Sequence, residues 1–321
     1  MNIFEAIIQG IVQGITEFLP VSSSGHLSIT QHIFGQSGEG NLFFNVMLHL
    51  GTLVAVCFYY RKLILSLIKD FGKLIADIFK GNFKWSQMSP GRNLIVMLII
   101  GLLPLFLLFM PIIGTDMQIK DLADMLAGGS KTFIVVGLSL LVTSVLLLVG
   151  GLANKHTEQK YKAAGKLTKS GGGRKRFNLL DAVSVGLMQM VAAVLPGLSR
   201  SGSTLAVGQL RGINRQSALD YTCVLSIPSI LAAAVLELKD AFDVPAAPGG
   251  PELPGIPMIL AGMIAAAVVG YFSIVLFKWL LKTDRMYIFI VYTALVGIAV
   301  TIISIVELNS GYNIFSGTPL V

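Results

Sequence analysis

Six apolar stretches, each about long enough to cross a lipid bilayer as a helix, dominate this sequence of 321 residues. A helix needs about 20 apolar residues to span a hydrocarbon layer about 30 Å thick. The stretches are too long and too continuously apolar to be strands of a membrane barrel. The sequence therefore predicts an all-α integral membrane protein with six transmembrane helices. They cover residues 43–60, 93–113, 132–150, 217–236, 257–277 and 286–306.

The charged residues alternate in sign along the connections between these stretches. Charged residues make up only 13% of the chain, against roughly 25% in soluble domains. Connections 61–92, 153–180 and 278–285 are rich in Lys and Arg, whereas 114–131 and 237–256 are balanced or acidic. Because positively charged loops remain in the cytoplasm, the basic connector 153–180 is predicted to be cytoplasmic and the Pro-rich loop 237–256 external. Topology thus explains the net charge of +7 without a nucleic-acid partner.

Three minor features add to this topology. The first Lys or Arg is Arg61, so no cleavable signal peptide, which needs a basic start, is expected. Segment 63–80 has apolar residues at helical spacing with Lys and Asp between them, which predicts either an amphipathic helix on the cytoplasmic surface or a solvated connector helix. Cys57 and Cys223 lie in separate apolar stretches, and no disulfide is expected between them.

Two further apolar segments, 3–35 and 181–212, are each interrupted near the middle by a proline and small polar residues. Residues 9–23 align without gaps with residues 185–199, at an offset of 176. Three predicted spans separate the two copies, an odd number, so the copies enter the membrane from opposite sides as an inverted repeat. The aligned pairs are Gly10 with Gly186, Gln13 with Gln189, Pro20 with Pro196, and Ser23 with Ser199.

Each interrupted segment is predicted to be re-entrant, because it is too short to cross the membrane twice. Non-helical backbone at that depth is stable only inside protein or beside a water-filled cavity, so we expect the two loops to meet near the membrane centre. The chain is then a single membrane domain, 1–321. Repeat 1 covers about 1–113 and repeat 2 about 132–306.

The first interrupted segment carries a carboxylate close to its break. Glu17 lies one turn before Pro20, and an uncompensated charge inside a membrane costs at least about 2.5 kcal/mol. Glu17 is therefore either a metal ligand or acid–base group, or it makes a hydrogen bond that packs helices. Gln13, one turn earlier, lies on the same face.

A polar loop follows the break in the first segment. It leads into a helix predicted to begin near His26, and the free N–H groups at such a helix start bind anions. One of the serines could serve only as an N-cap. The loop residues are Ser22, Ser23, Ser24 and Gly25.

The second interrupted segment carries Arg200. Arginine pairs with phosphate oxygens through two hydrogen bonds, so its partner is either Glu17 or a bound phosphate. Glu17 would repel a phosphate unless a divalent cation, Mg²⁺ or Ca²⁺, lies between them, which makes Glu17 and Gln13 candidate metal ligands. For His49 the sequence leaves two roles open: it either packs between helices or belongs to the phosphate site. Further candidate phosphate ligands are Gly197, Ser199, Ser201, Ser203 and Thr204.

Both segments resemble the motifs of the undecaprenyl-diphosphate phosphatase family, the bacitracin-resistance phosphatases of bacterial envelopes. The first motif reads QGITEFLPVSSSGH from Gln13 to His26, and the second reads PGLSRSGST over 196–204. Many family members have Glu where this chain has Gln13. The resemblance implies hydrolysis of undecaprenyl diphosphate to undecaprenyl phosphate and inorganic phosphate, which recycles the lipid carrier for cell-wall synthesis at the bacterial plasma membrane.

With this resemblance we expect Ser23 to be the nucleophile and His26 to act as general base and then acid. Arg200 and the loop amides would hold the diphosphate, and Glu17, with Gln13, would position the cation. Alternatives are a phosphorylated His26 or direct attack by water. The expected partners are the polyprenyl diphosphate and the membrane, a homodimer is left open, and the pocket is expected to open to the external, periplasmic face. The competing class is a transporter or flippase of polyprenyl phosphate, since inverted repeats with broken helices also characterise transporters.

Overall fold

The computed structural model of the chain describes residues 1–36, 39–82, 84–85, 88–115, 117–127, 133–168, 171–243 and 254–320. Within these ranges the chain forms α-helices, one 3₁₀ helix (Leu103–Phe109) and a few isolated β-bridges. The α-helices are α1 (Ile3–Phe18), α2 (Ser23–Ile33), α3 (Glu39–Tyr59), α4 (Arg61–Phe79), α5 (Pro90–Leu102), α6 (Ile119–Ala127), α7 (Phe133–Ala163), α8 (Leu179–Val194), α9 (Arg200–Leu210), α10 (Arg215–Asp243), α11 (Ile256–Lys282) and α12 (Tyr287–Ser310).

Five helical segments in the described ranges are long and apolar enough to cross a membrane, and a bent pair of helices makes a sixth candidate. The bent pair joins Phe43–Tyr59 to Arg61–Phe79 at an angle of 80°. The chain is therefore an all-α, multi-pass membrane protein, as the apolar runs predict. The five straight candidates are Pro90–Phe109, Phe133–Ala163, Arg215–Leu236, Ile256–Lys282 and Tyr287–Ser310.

The connections differ from expectation in their boundaries. Segment 63–80 does form a helix, α4, whose buried residues Leu67 and Leu74 lie two turns apart on one face. Helix α7 continues to Ala163, so the first part of the predicted connector 153–180 is helical. Helix α10 continues to Asp243, so the start of the predicted loop 237–256 is helical, and residues 244–253 lie outside the described residues.

The two interrupted segments form broken helices of matching dimensions. Helices α1 and α8 both have 16 residues and both begin with an Asn capping box, at Asn2 and Asn178. Helices α2 and α9 both have 11 residues. The gapless alignment is wrong beyond the prolines, because the second loop contains one more residue than the first. Ser199 therefore corresponds to Ser22, not to Ser23, as the residue that caps the following helix.

The first helix of each broken pair packs closely against a helix of the other half of the chain. Gly10 of α1 faces the backbone of Gly262 in α11, and Gly186 of α8 faces the backbone of Gly101 in α5. A Cβ at either Gly10 or Gly186 would overlap the facing carbonyl group. Glycine is thus required at these aligned positions because the backbones approach each other directly.

Gly10→Ala should lower the free energy of unfolding by about 1–3 kcal/mol, because the new methyl group pushes α1 away from α11. Thermal or denaturant unfolding of the purified protein in detergent would measure the change. Gly72→Ala is the matched control, since no atom lies within 4 Å of a Cβ at that position in α4. Alanine is the better helix former, so the control should gain about 0.5–1 kcal/mol. Equal stability of the two variants would contradict the close packing of α1 and α11.

Candidate active site

The loops of the two broken helices contact each other directly. The Gly197 N–H donates to Ser24 Oγ at 3.4 Å, and Ser201 Oγ donates to the Leu19 carbonyl at 3.0 Å. A Cβ at Gly25 would lie only 3.2 Å from the Cα of Gly197. The expectation that the two loops meet is confirmed, and the site residues on either loop are thereby brought together.

Two of the predicted loop ligands serve as helix caps. Ser22 Oγ accepts from the Gly25 N–H at 3.2 Å, and Ser199 Oγ accepts from the Gly202 N–H at 3.0 Å. The expectation that the second helix begins near His26 is wrong, because the Ser22 cap starts α2 at Ser23. Ser22 has a backbone φ of 74°, a conformation that residues other than glycine rarely adopt. This turn directs the start of α2 toward the end of α1.

Glu17 is the centre of the polar cluster and is 5% exposed. Its Oε1 lies 2.6 Å from Arg200 Nη2. Its Oε2 accepts from Ser23 Oγ at 2.7 Å and from Gln13 Nε2 at 2.9 Å. A buried carboxylate is tolerated only with such partners. Of the two partners predicted for Arg200, Glu17 or a bound phosphate, the structure contains the ion pair with Glu17.

His49 also belongs to this cluster. Its Nδ1 lies 3.2 Å from Glu17 Oε2 and 2.8 Å from Gln13 Nε2. Arg200 makes a further bond, from Nη1 to Ser229 Oγ at 3.2 Å. Ser229 carries no sequence signal, because it lies inside the apolar stretch that forms α10. Five helices, α1, α2, α3, α9 and α10, thus contribute to a cluster around one carboxylate and one guanidinium.

The imidazole of His26 forms hydrogen bonds with partners other than Glu17 and Ser23. Nδ1 lies 2.7 Å from the Ser22 carbonyl oxygen, which only accepts, so Nδ1 donates. Nε2 lies 2.8 Å from the hydroxyl of Tyr292 in α12. In a neutral ring Nε2 is then the acceptor and Tyr292 the donor. Tyr292 was not predicted as a site residue, since a tyrosine in an apolar run 266 positions from His26 carries no signal of its own.

A small cavity of about 10 Å³ lies beside the Glu17–Arg200 pair. Thr204, on its wall, donates to the Arg200 carbonyl at 2.8 Å and lies 3.1 Å from Thr222. Ser203 is fully buried and donates to the Ser199 carbonyl at 2.6 Å, so its hydrogen is already used. The cavity is lined by Glu17, Phe18, Gln189, Arg200, Ser201, Thr204, Thr222, Cys223 and Ser226.

The residues at the site offer few ligands for a metal ion. In the part of the chain that the structure describes, no three His, Cys, Asp or Glu side chains are grouped as a metal site. Glu17 is the one carboxylate of the cluster, whereas the buried Gln13 Oε1 has no hydrogen-bond partner among the described residues. These two oxygens fit a hard cation such as Mg²⁺ only when phosphate oxygens and water complete its coordination, which is how Mg²⁺ is commonly bound.

Fold and site together define a class: a helical membrane protein in which two broken helices enclose a serine, a carboxylate and an arginine suited to phosphate chemistry. The family model of the bacitracin resistance protein BacA matches residues 6–299. This chain belongs to that family.

Curated relatives of this chain carry the name undecaprenyl-diphosphatase. The protein from Alkaliphilus metalliredigens is 36% identical over 306 residues, which cover 95% of this chain and 100% of that protein. The protein from Methanobrevibacter smithii is 36% identical over 312 residues, covering 96% and 100% respectively. The protein from Treponema denticola is 34% identical over 304 residues, covering 94% and 97%.

Arg200→Met should lower the free energy of unfolding by about 3 kcal/mol or more, because Glu17 would remain buried without its cation. The double variant Glu17→Gln/Arg200→Met should be more stable than Arg200→Met alone, since it leaves no unpaired charge. Equilibrium unfolding in detergent of the wild type, the two single variants and the double variant would measure the coupling between the two charges. Additive losses in the double variant would show that the two charges are not coupled.

Proposed function

We propose that this protein hydrolyses undecaprenyl diphosphate to undecaprenyl phosphate and inorganic phosphate, and so recycles the lipid carrier of cell-wall synthesis. The names of its curated relatives support this substrate. The observation that carries the chemistry is the contact of Ser23 with Glu17 next to Arg200: a hydroxyl at 2.7 Å from a carboxylate that is itself 2.6 Å from a guanidinium. Nucleophile, proton acceptor and phosphate ligand thus lie side by side.

In the first step the hydroxyl oxygen of Ser23 attacks the terminal phosphorus. The new O–P bond forms as the bridging P–O bond breaks, and undecaprenyl phosphate leaves. The Ser23 proton passes to Glu17 Oε2, to which the hydroxyl already donates. This assigns the base differently from the sequence expectation, because the His26 ring is bound by Ser22 and Tyr292 rather than by Ser23.

In the second step water attacks the phosphorylated Ser23. The P–O bond to the serine breaks, inorganic phosphate is released, and the serine regains a proton from Glu17. We propose that His26, with Nε2 available when Tyr292 turns aside, accepts the proton of the attacking water and then releases it to solvent as inorganic phosphate leaves. Arg200 turns from Glu17 to the phosphoryl oxygens in both steps, where its charge stabilises the transition state.

We propose a divalent cation, Mg²⁺ or Ca²⁺, as the cofactor of this site. Glu17 and the unpaired Gln13 Oε1 would hold it from the protein side. It would neutralise the charge of the phosphoryl oxygens that otherwise repel Glu17. Ser24 and Ser201, which lie at the contact between the loops, are proposed as additional substrate ligands.

The topology that suits this function is an inverted repeat in the bacterial plasma membrane, with the pocket open to the external face. The matched lengths of the broken helices and the paired glycine contacts support such a repeat. One copy of the chain supplies every residue assigned a role, so the chemistry does not require the homodimer. The same paired packing favours a second candidate, a flippase of polyprenyl phosphate, because transporters are often built from such repeats.

Release of inorganic phosphate from a short-chain prenyl diphosphate in detergent separates the two functions. We expect the wild type to release phosphate and Ser23→Ala to lose nearly all turnover while still binding the lipid. Ser28→Ala, on the same helix but outside the assigned site, is the control and should keep wild-type activity. A Ser23→Ala rate above about a tenth of the wild-type rate would exclude a serine nucleophile, since losing a nucleophile costs far more. No phosphate release by the wild type would favour the transporter.

Removal of divalent cations should abolish turnover reversibly. Chelator treatment of the purified protein, followed by titration with Mg²⁺ or Ca²⁺, would measure the dependence. Glu17→Gln should lose turnover at every cation concentration, because the amide neither accepts the Ser23 proton nor binds a cation as a carboxylate does. Full activity in excess chelator would contradict the cation proposal while leaving the serine chemistry intact.

A further inference from the structure

Gln189 is a buried glutamine with an unused donor. The residue is 1% exposed, and its Nε2 has no hydrogen-bond partner among the described residues. An N–H group taken out of water without a replacement partner is unfavourable, and most buried polar groups are paired. The Gln189 amide is therefore a candidate hydrogen-bond donor to a bound ligand.

The surroundings of Gln189 define what that ligand must be. Gln189 lines the same cavity as Arg200, and the cavity volume of about 10 Å³ has room for roughly one oxygen atom with its hydrogens, or for one oxygen of a larger group. Arg200 provides a positive charge on one wall. The neighbouring hydroxyls of Thr204 and Ser226 donate to backbone carbonyls, at 2.8 Å in each case. Among the described residues no group accepts from Gln189 Nε2, so the partner that this donor lacks is an acceptor oxygen.

The aligned position in the first repeat shows how the two halves differ. Gln13, 176 positions before Gln189, donates from Nε2 to Glu17 at 2.9 Å. The position 176 after Glu17 is Ala193, so the second repeat has no carboxylate to receive the Gln189 donor. The first repeat thus supplies a carboxylate acceptor for its glutamine, whereas Gln189 has no acceptor among the described residues.

We propose, building on the phosphatase function above, that Gln189 is a substrate-binding residue that donates to a non-bridging phosphoryl oxygen of the diphosphate. That oxygen is about the size of a water molecule and carries a negative charge, which suits the Arg200 guanidinium on the same cavity wall. Glu17 also borders the cavity, where its Oε1 lies 2.6 Å from Arg200 Nη2 and its Oε2 lies 3.2 Å from His49 Nδ1. The substrate would then be bound by a neutral donor, Gln189 of α8, and by a charged donor, Arg200 at the start of α9.

The test replaces the amide by side chains of similar length. Gln189→Met removes the donor, so the KM for a short-chain prenyl diphosphate should rise about tenfold, the loss expected for one hydrogen bond to a charged group. The melting temperature without ligand should stay equal or increase, because an unpaired buried group is removed. Gln189→Glu should raise KM further, since a carboxylate repels the phosphoryl oxygen. The stabilisation by inorganic pyrophosphate, measured as a shift in melting temperature, should decrease in the same order.

Gln31→Met is the matched control, because the Gln31 Nε2 is fully used in bonds to Gln9 and Asn45 at 3.0 and 2.8 Å. It should lower the melting temperature and leave KM unchanged. A purely structural Gln189, or one that holds only a water molecule, would give wild-type KM values and pyrophosphate shifts for both Gln189 variants, and this would overturn the proposal. A wild type that binds pyrophosphate but releases no phosphate would instead overturn the phosphatase function alone.

Discussion

The ion pair between Glu17 and Arg200 is the interaction on which the rest of the structure depends. Each charge alone would be strongly unfavourable inside a membrane protein. The two residues lie 183 positions apart and belong to different broken helices, yet their charged atoms are 2.6 Å apart. Neutralising either charge therefore requires that both halves of the chain fold and meet, so stability of the fold and assembly of the site are the same event.

The broken backbone imposes a second requirement, since every interrupted helix exposes N–H groups that lipid cannot satisfy. Ser22 and Ser199 meet it as caps, and the contact of Gly197 with Ser24 joins the loops. Ser22 and Ser24 accept hydrogen bonds from backbone N–H groups, whereas Ser23 donates its hydroxyl to the Glu17 carboxylate. This contact is the reason that Ser23, rather than Ser22 or Ser24, is proposed as the nucleophile.

Much of the fold and part of the site could be predicted from residue types and spacing. Apolar runs of bilayer length specify helices whatever their partners, and the costly charges Glu17 and Arg200 had to find one another or a ligand. The helix register past Pro196 was predicted wrongly, because one additional loop residue is absorbed by Gly197 at a φ of 86° without any change in composition. The partner of His26 was missed, because Tyr292 approaches it through the packing of α12.

The sequence by itself determined that this chain lies in a membrane as helices, which two segments are broken, and which charged and hydroxyl groups have to be enclosed. These properties follow from hydrophobic length and from the cost of burying polar groups, which act locally. Only the tertiary structure decided that Glu17 rather than His26 receives the Ser23 hydroxyl, that His49 joins the carboxylate, and that Gln189 keeps an unused donor. Those outcomes depend on distances of a few ångströms between helices far apart in the chain, which spacing along the sequence does not encode.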